Sequence, residues 1–130
     1  MIKLGEIFIV EDDEFAAFMI QHLVKSLDVF EKVTILENGK VAYDEIIARI
    51  EQKRSLPEYI LLDLNMPIWD GWQFYDAFCK HPEHHNTTIY IVTSSIDQED
   101  FERAKANGLE NRFLNKPLKL ETLKKIFNQG

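Results

Sequence analysis

The chain has one cysteine, Cys79, in 130 residues. A lone cysteine excludes an internal disulfide and a cysteine-based zinc site, and it suits a reducing compartment. No apolar run approaches the roughly 20 residues that a membrane-spanning helix needs. The opening MIKLGEIFIVEDD reaches acid too soon for a secretory signal. Basic residues are scarce: 15 Lys and Arg face 22 Asp and Glu, a formal net charge of −7 at pH 7. That deficit argues against direct nucleic-acid binding, which draws on a basic face, and against docking on an anionic membrane. It suits a cation or a basic partner. Low-complexity segments, long linkers and internal repeats are also missing. The expectation from these absences is a cytoplasmic protein without a membrane anchor.

What is present is ordinary globular material, 45% hydrophobic and 28% charged. The length is that of one domain. Such a chain buries about two-thirds of its unfolded surface and needs no staple to fold.

Short apolar runs alternate with helical patterns. Ile7-Phe8-Ile9-Val10 is apolar at every position, as in a strand buried on both faces, and Glu11-Asp12-Asp13-Glu14 stops it. Phe15, Phe18, Met19, Leu23 and Leu27 then recur at helical spacing, with Asp13 or Glu14 as the helix cap. Val33 to Leu36 reads as a second strand, broken by Asn38-Gly39. A helix follows from Val41 to Arg54, ended by Pro57. Tyr59 to Leu62 is a third strand, closed by Asp63. Asn65-Met66-Pro67 and Asp70-Gly71 are turn signals, and Trp72 to Lys80 is a short helix. Pro82 to Asn86 reads as a loop. Thr88 to Val92 is a fourth strand, closed by Thr93-Ser94-Ser95. Asp97 and Asp100 form a cap pair for a helix that stops at Asn107-Gly108. Arg112 to Asn115 is a fifth strand, and Leu120, Leu123, Ile126 and Phe127 mark a last amphipathic helix.

Strands alternating with helices predict an α/β fold: a five-stranded parallel sheet, doubly wound, in three α/β/α layers with right-handed crossovers. In such sheets the site lies at the carboxyl ends of the strands. Those ends carry Glu11 and Asp12, then Asp63, then Thr93, then Lys116. Converging carboxylates repel one another unless a cation or protons intervene. Oxygen ligands in small number suit Mg²⁺. A carboxylate can attack phosphorus, and a lysine and a hydroxyl can hold the remaining phosphoryl oxygens.

The ordered set of an acidic pair, the Asp in LLDLNMP, a DG, a hydroxyl after the fourth strand and a KP resembles the receiver domain of two-component response regulators. The likeness runs from about Ile7 to Phe127. It implies a flavodoxin-like, CheY-like (βα)5 fold with Asp63 as phosphoacceptor. It implies a Mg²⁺ site in which Asp12 ligates directly, Glu11 acts through water, and Asp63 and the Asn65 carbonyl complete the protein's share. Thr93 matches the family's switch hydroxyl, Phe113 its aromatic switch position, and Lys116 its lysine, with Lys116–Pro117 in the cis form. Asn65 and Ser95 fall where the family tunes the lifetime of its acyl phosphate. The implied donor is a sensor histidine kinase or phosphotransfer protein. The implied output is a protein target bound on the helix 4, strand 5 and helix 5 surface. The domain would span 1–130, with its core at about 6–128, no output domain and an open oligomeric state. It would not be an enzyme beyond phosphorylating and dephosphorylating itself.

Three other readings compete. A haloacid dehalogenase-type hydrolase also uses an aspartyl phosphate, but that family places a second Asp two residues after the nucleophile. Asn65 stands there and cannot serve as a general acid. A nucleotide or flavin module needs a glycine-rich turn where Glu11 to Glu14 would repel phosphate. A degenerate receiver kept for protein contacts would not need every chemical position filled. Two features depart from the resemblance: a long Ile46–Tyr59 stretch, and Trp69 and Trp72 flanking Asp70-Gly71. Trp72, Phe74 and Phe78 read as packing residues, His81, His84 and His85 as a solvated loop, and Cys79 as packing.

Overall fold

A computed structural model describes residues 3–94 and 97–127. Strands β1 (Leu4–Val10), β2 (Phe30–Leu36), β3 (Tyr59–Asp63), β4 (Thr88–Thr93) and β5 (Phe113–Asn115) alternate with helices. The helices are α1 (Glu14–Leu27), α2 (Gly39–Glu51), α3 (Gly71–Phe78), α4 (Gln98–Ala106) and α5 (Leu120–Phe127). The sheet is parallel throughout, in the order β2-β1-β3-β4-β5. The order reverses between β1 and β3, which opens a crevice at their carboxyl ends. Among the described residues no helix is long and apolar enough to cross a membrane.

The strand pleat sorts the core into two layers. Phe8, Val10, Ile60, Leu62 and Ile91 face one side, with Phe74 and Phe78 of α3 and Ile46 of α2. Ile7, Ile9, Leu61 and Val92 face the other, with Val24 of α1 and Leu123 and Phe127 of α5. Apolar side chains on both faces are why these strands read as unbroken apolar runs.

The structure differs from the sequence reading at several points, among them the end of α3 at Phe78 in place of Lys80. Strands β1 and β2 each begin three residues earlier than their apolar runs, with Leu4 paired to Phe30 and Glu6 to Lys32. Backbone pairing continues there through polar residues, because Glu6 is satisfied by Arg49 and Thr34. Helix α2 stops at Glu51, short of Arg54, where Lys53 turns left-handed at φ 56°. The Pro82–Asn86 stretch is a 3₁₀ turn, and His81 at its start shares a 2.9 Å hydrogen bond with the Tyr43 hydroxyl. In α1, Asp13 caps the helix as expected, but the buried stripe is Ala17, Ile20 and Val24. Phe15, Phe18 and Met19 are 74%, 60% and 44% exposed. Two apolar stripes overlap on this helix, and the smaller side chains allow the closer approach to the sheet.

Candidate functional site

Glu11 follows β1 directly, held by its amide to the Leu36 carbonyl at 3.0 Å, and its side chain is buried. Asp12, next along, is exposed. Asp63 is the last residue of β3 and is buried as well. One oxygen of each of these three carboxylates lies within 4.8 Å of the others. The register that pairs Asp63 with Val92 sets the buried Thr93 one position beyond it, at the end of β4. The Lys116 amide bonds to the Thr93 carbonyl at 2.9 Å, which brings its side chain over the cluster. The Lys116 ammonium donates to Glu11 and lies 3.5 Å from Asp63 Oδ2. Lys116–Pro117 is cis. Glu11, Asp12, Asp63, Thr93 and Lys116 therefore meet at the carboxyl edge of the sheet, with Asn65 two residues after Asp63 and Phe113 three residues before Lys116, at the start of β5. Ser95 lies outside the described residues.

The cluster is short of positive charge. One lysine faces three carboxylates, leaving two negative charges uncompensated when all are ionised. Burial raises the Glu11 carboxyl above its ordinary range; the hydrogen bond from Lys116 opposes this, and Asp63 adds to it. Burial alone would lower Lys116, but Glu11 and Asp63 outweigh it and hold the ammonium above its usual value. Lys116 is thus a fixed cation at neutral pH. Few carboxylates around open space, of which one is exposed, fit a hard divalent cation that keeps part of its water shell.

The loop after β3 is braced from two sides. The Gly71 amide bonds to the Leu64 carbonyl at 3.0 Å, and a Cβ on Gly71 would lie 2.5 Å from the Asp63 carbonyl oxygen. The Gly39 amide bonds to the Trp69 carbonyl at 3.2 Å, and a Cβ there would sit 2.9 Å from that oxygen. Asp70 and Gln73 form a reciprocal capping box at the start of α3. So Asp70-Gly71 is a helix cap with a close backbone approach, more than a simple turn. The Asn65 amide points at Asp63 Oδ1 from 3.4 Å. Ile68 is left-handed at φ 70° and 73% exposed, a strained placement for a β-branched residue.

Phe113 is half-buried, its ring 6.3 Å from that of Phe101 on α4 and nearly parallel to it. His81, His84 and His85 stay with the 3₁₀ turn and do not join the acids. Sequence reasoning missed the rim of the site. A groove of about 780 Å³ beside the acids is lined by Glu11, Asp12, Glu14, Phe15, Phe18 and Val41. It also missed the indole of Trp72, whose Nε1 donates to Asp100 Oδ1 at 2.9 Å. The indole bond leaves no local sequence signal, since it joins residues 28 apart, and the groove needs Val41 brought beside the stretch from Glu11 to Phe18.

The family model described as response regulator receiver domain matches residues 7–128. The probable methanogenesis regulatory protein FilR2 of Methanothrix harundinacea is 31% identical over 123 residues, covering 95% of this chain and 79% of that protein. The chemotaxis protein CheY4 of Vibrio cholerae superposes with a TM-score of 0.78 at 25% identity, covering 97% of this chain and 98% of that one. A two-component response regulator from Cytophaga hutchinsonii shares the fold at a TM-score of 0.85 and 24% identity, over 98% of this chain and 96% of that one.

Proposed function

The chain belongs to the response regulator receiver domain family, a family of signalling modules rather than conventional enzymes, and from that premise we propose that it is a phosphoacceptor switch whose nucleophile is Asp63. One observation carries the reading. A buried strand-end carboxylate has a fixed ammonium 3.5 Å from one oxygen and two further carboxylates within reach of one cation.

In this reading a phosphohistidine on a sensor kinase or phosphotransfer protein meets the rim of the site. An Asp63 oxygen attacks the phosphorus, an O–P bond forms, and the P–N bond breaks. Its electron pair returns to the donor's imidazole nitrogen. Lys116 moves from its carboxylate partners towards a phosphoryl oxygen, and Thr93 offers its hydroxyl to another. Glu11, Asp12, Asp63 and the Asn65 carbonyl would hold Mg²⁺, which supplies neutralisation of the charge that builds on the phosphoryl group. Phe113 then follows Thr93, and the surface of α4, β5 and α5 changes for a protein target. Water later cleaves the acyl phosphate. Residues 1–130 act as one receiver unit. The exposed Phe15 and Phe18 supply apolar contact for the donor beside the acids.

The test is intact mass after incubation with acetyl phosphate and Mg²⁺, for wild type and Asp63→Asn together. The expected result is one phosphoryl adduct on wild type, lost with a chelator, and none on the variant. An adduct of equal yield on Asp63→Asn would overturn the assignment of the nucleophile.

A further inference from the structure

Helix α4 is held by an unusual set of contacts. Of its nine residues only Ala104 is buried, and its one large apolar side chain, Phe101, is 39% exposed. Most helical stability in proteins comes from burying an apolar face, and α4 has little to bury. Its contacts with α3 are polar instead. Trp72 is 5% exposed. Its Nε1 donates to Asp100 Oδ1 at 2.9 Å, and the Arg103 guanidinium lies 5.0 Å from the ring centroid. Arg103 also pairs with Asp76 of α3, and Tyr75 meets the indole edge-on at 5.9 Å.

Asp100 joins two structures. Its side chain accepts from Trp72, while its backbone amide donates to the capping carboxylate of Asp97 at 2.8 Å. The contact therefore fixes the first turn of α4. That turn begins at Gln98, five residues past Thr93. Thr93, whose hydroxyl is at the site, and Asp100 are thus seven residues apart in the chain.

We propose that Trp72 and Asp100, backed by Arg103 and Asp76, form a latch that holds α4 on α3 and resists the rearrangement that accompanies phosphorylation. Trp72 and Asp100 are then positioning residues, acting through α4. The inference rests on the phosphoacceptor reading for its consequence, though not for its geometry. A hydrogen bond to a charged acceptor at a partly buried site shifts such an equilibrium by about tenfold or more. Releasing the latch raises the population of the rearranged form, so Asp63 accepts a phosphoryl group faster.

Two readouts test this on the full chain. Hydrogen exchange by mass spectrometry reports the α4 amides, and intact mass reports the rate of adduct formation from acetyl phosphate. Trp72→Phe keeps an aromatic ring and loses the donor; Asp100→Ala loses the acceptor. Both are expected to speed exchange across residues 98–106 by about tenfold, with β1 and α1 unchanged, and to speed adduct formation several-fold. Asp100→Asn retains a carbonyl acceptor without its charge and is expected to fall between wild type and Asp100→Ala in both. Glu99→Ala removes a charge from the same turn without touching Trp72 and is expected to leave exchange unaltered.

Unchanged α4 exchange in Asp100→Ala and Trp72→Phe would overturn the latch. Equal acceleration in Glu99→Ala would also overturn it, by assigning the effect to helix charge alone. Faster exchange with an unaltered adduct rate would overturn its role in phosphorylation. No adduct on wild type would sink the phosphoacceptor reading instead, and exchange would still decide the latch.

Discussion

Glu6 and Glu11 stand on or beside the same strand, one at each end of the sheet, and their environments push them in opposite directions. Burial would raise Glu6, but hydrogen bonds from Arg49 and Thr34 outweigh it and hold the carboxyl below its ordinary value. Burial raises Glu11, and Asp63 adds to the rise beyond what Lys116 removes. At the Glu6 end the network is closed. Arg49 also donates to Glu45 and to the Ser55 carbonyl, and its guanidinium lies 4.9 Å from the Phe8 ring centroid. At the Glu11 end one lysine is shared between two carboxylates and a third is open to solvent. A closed ionic network supports a fold. An open one stores an electrostatic cost that a ligand relieves.

The strongest way to break this contrast is at the closed end. Arg49→Ala leaves Glu6 buried without its cation and is expected to cost about 3–5 kcal/mol, read from urea midpoints. The adduct yield per folded molecule should not change. At the open end, Mg²⁺ at ten times its dissociation constant should stabilise wild type by about 1.4 kcal/mol. Asp63→Asn should lose most of that gain in a thermal scan. Without divalent ions, the same variant should be more stable than wild type by about 1 kcal/mol, since it removes one of three like charges. If Asp63→Asn is destabilised in the absence of metal, the stored-cost picture is wrong.

A subtler test uses pH. The folded-state value of Glu6 lies below its unfolded one, so its contribution is full above the ordinary value of 4.5 and fades as pH falls through the folded value. The stability gap between wild type and Glu6→Gln should therefore narrow in acid. The smallest effect belongs to an exposed pair. Lys3 and Asp28 meet at 2.8 Å, with both side chains well exposed, and Lys3→Ala should change stability by less than about 0.5 kcal/mol.

Much of this molecule is legible in its residues. The unbroken run Ile7 to Val10 exists because both pleat faces are covered, and the chemical groups come where such runs stop. Glu11, Asp63, Thr93 and Lys116 could therefore be placed together before any coordinates. What stayed hidden was pairing at a distance. Glu6 and Arg49 are separated by 43 residues, and Trp72 and Asp100 by 28. Each of these residues, seen alone, looks like a surface charge or a core aromatic. The face of α1 was hidden for another reason. Phe15 and Phe18 are as regularly spaced as a core stripe, and spacing does not say which of two stripes a helix turns inward.

The two glycines that brace the loop after β3 also determine how this site can vary. A library that randomised residues 64 to 71 would find position 71 closed to every side chain, because the space for a Cβ is taken by the Asp63 carbonyl. Position 68, exposed and left-handed, would accept glycine or asparagine with relief of strain. Diversity at this edge is therefore channelled: the side chains offered to a partner can change while the backbone beneath the nucleophile stays the same.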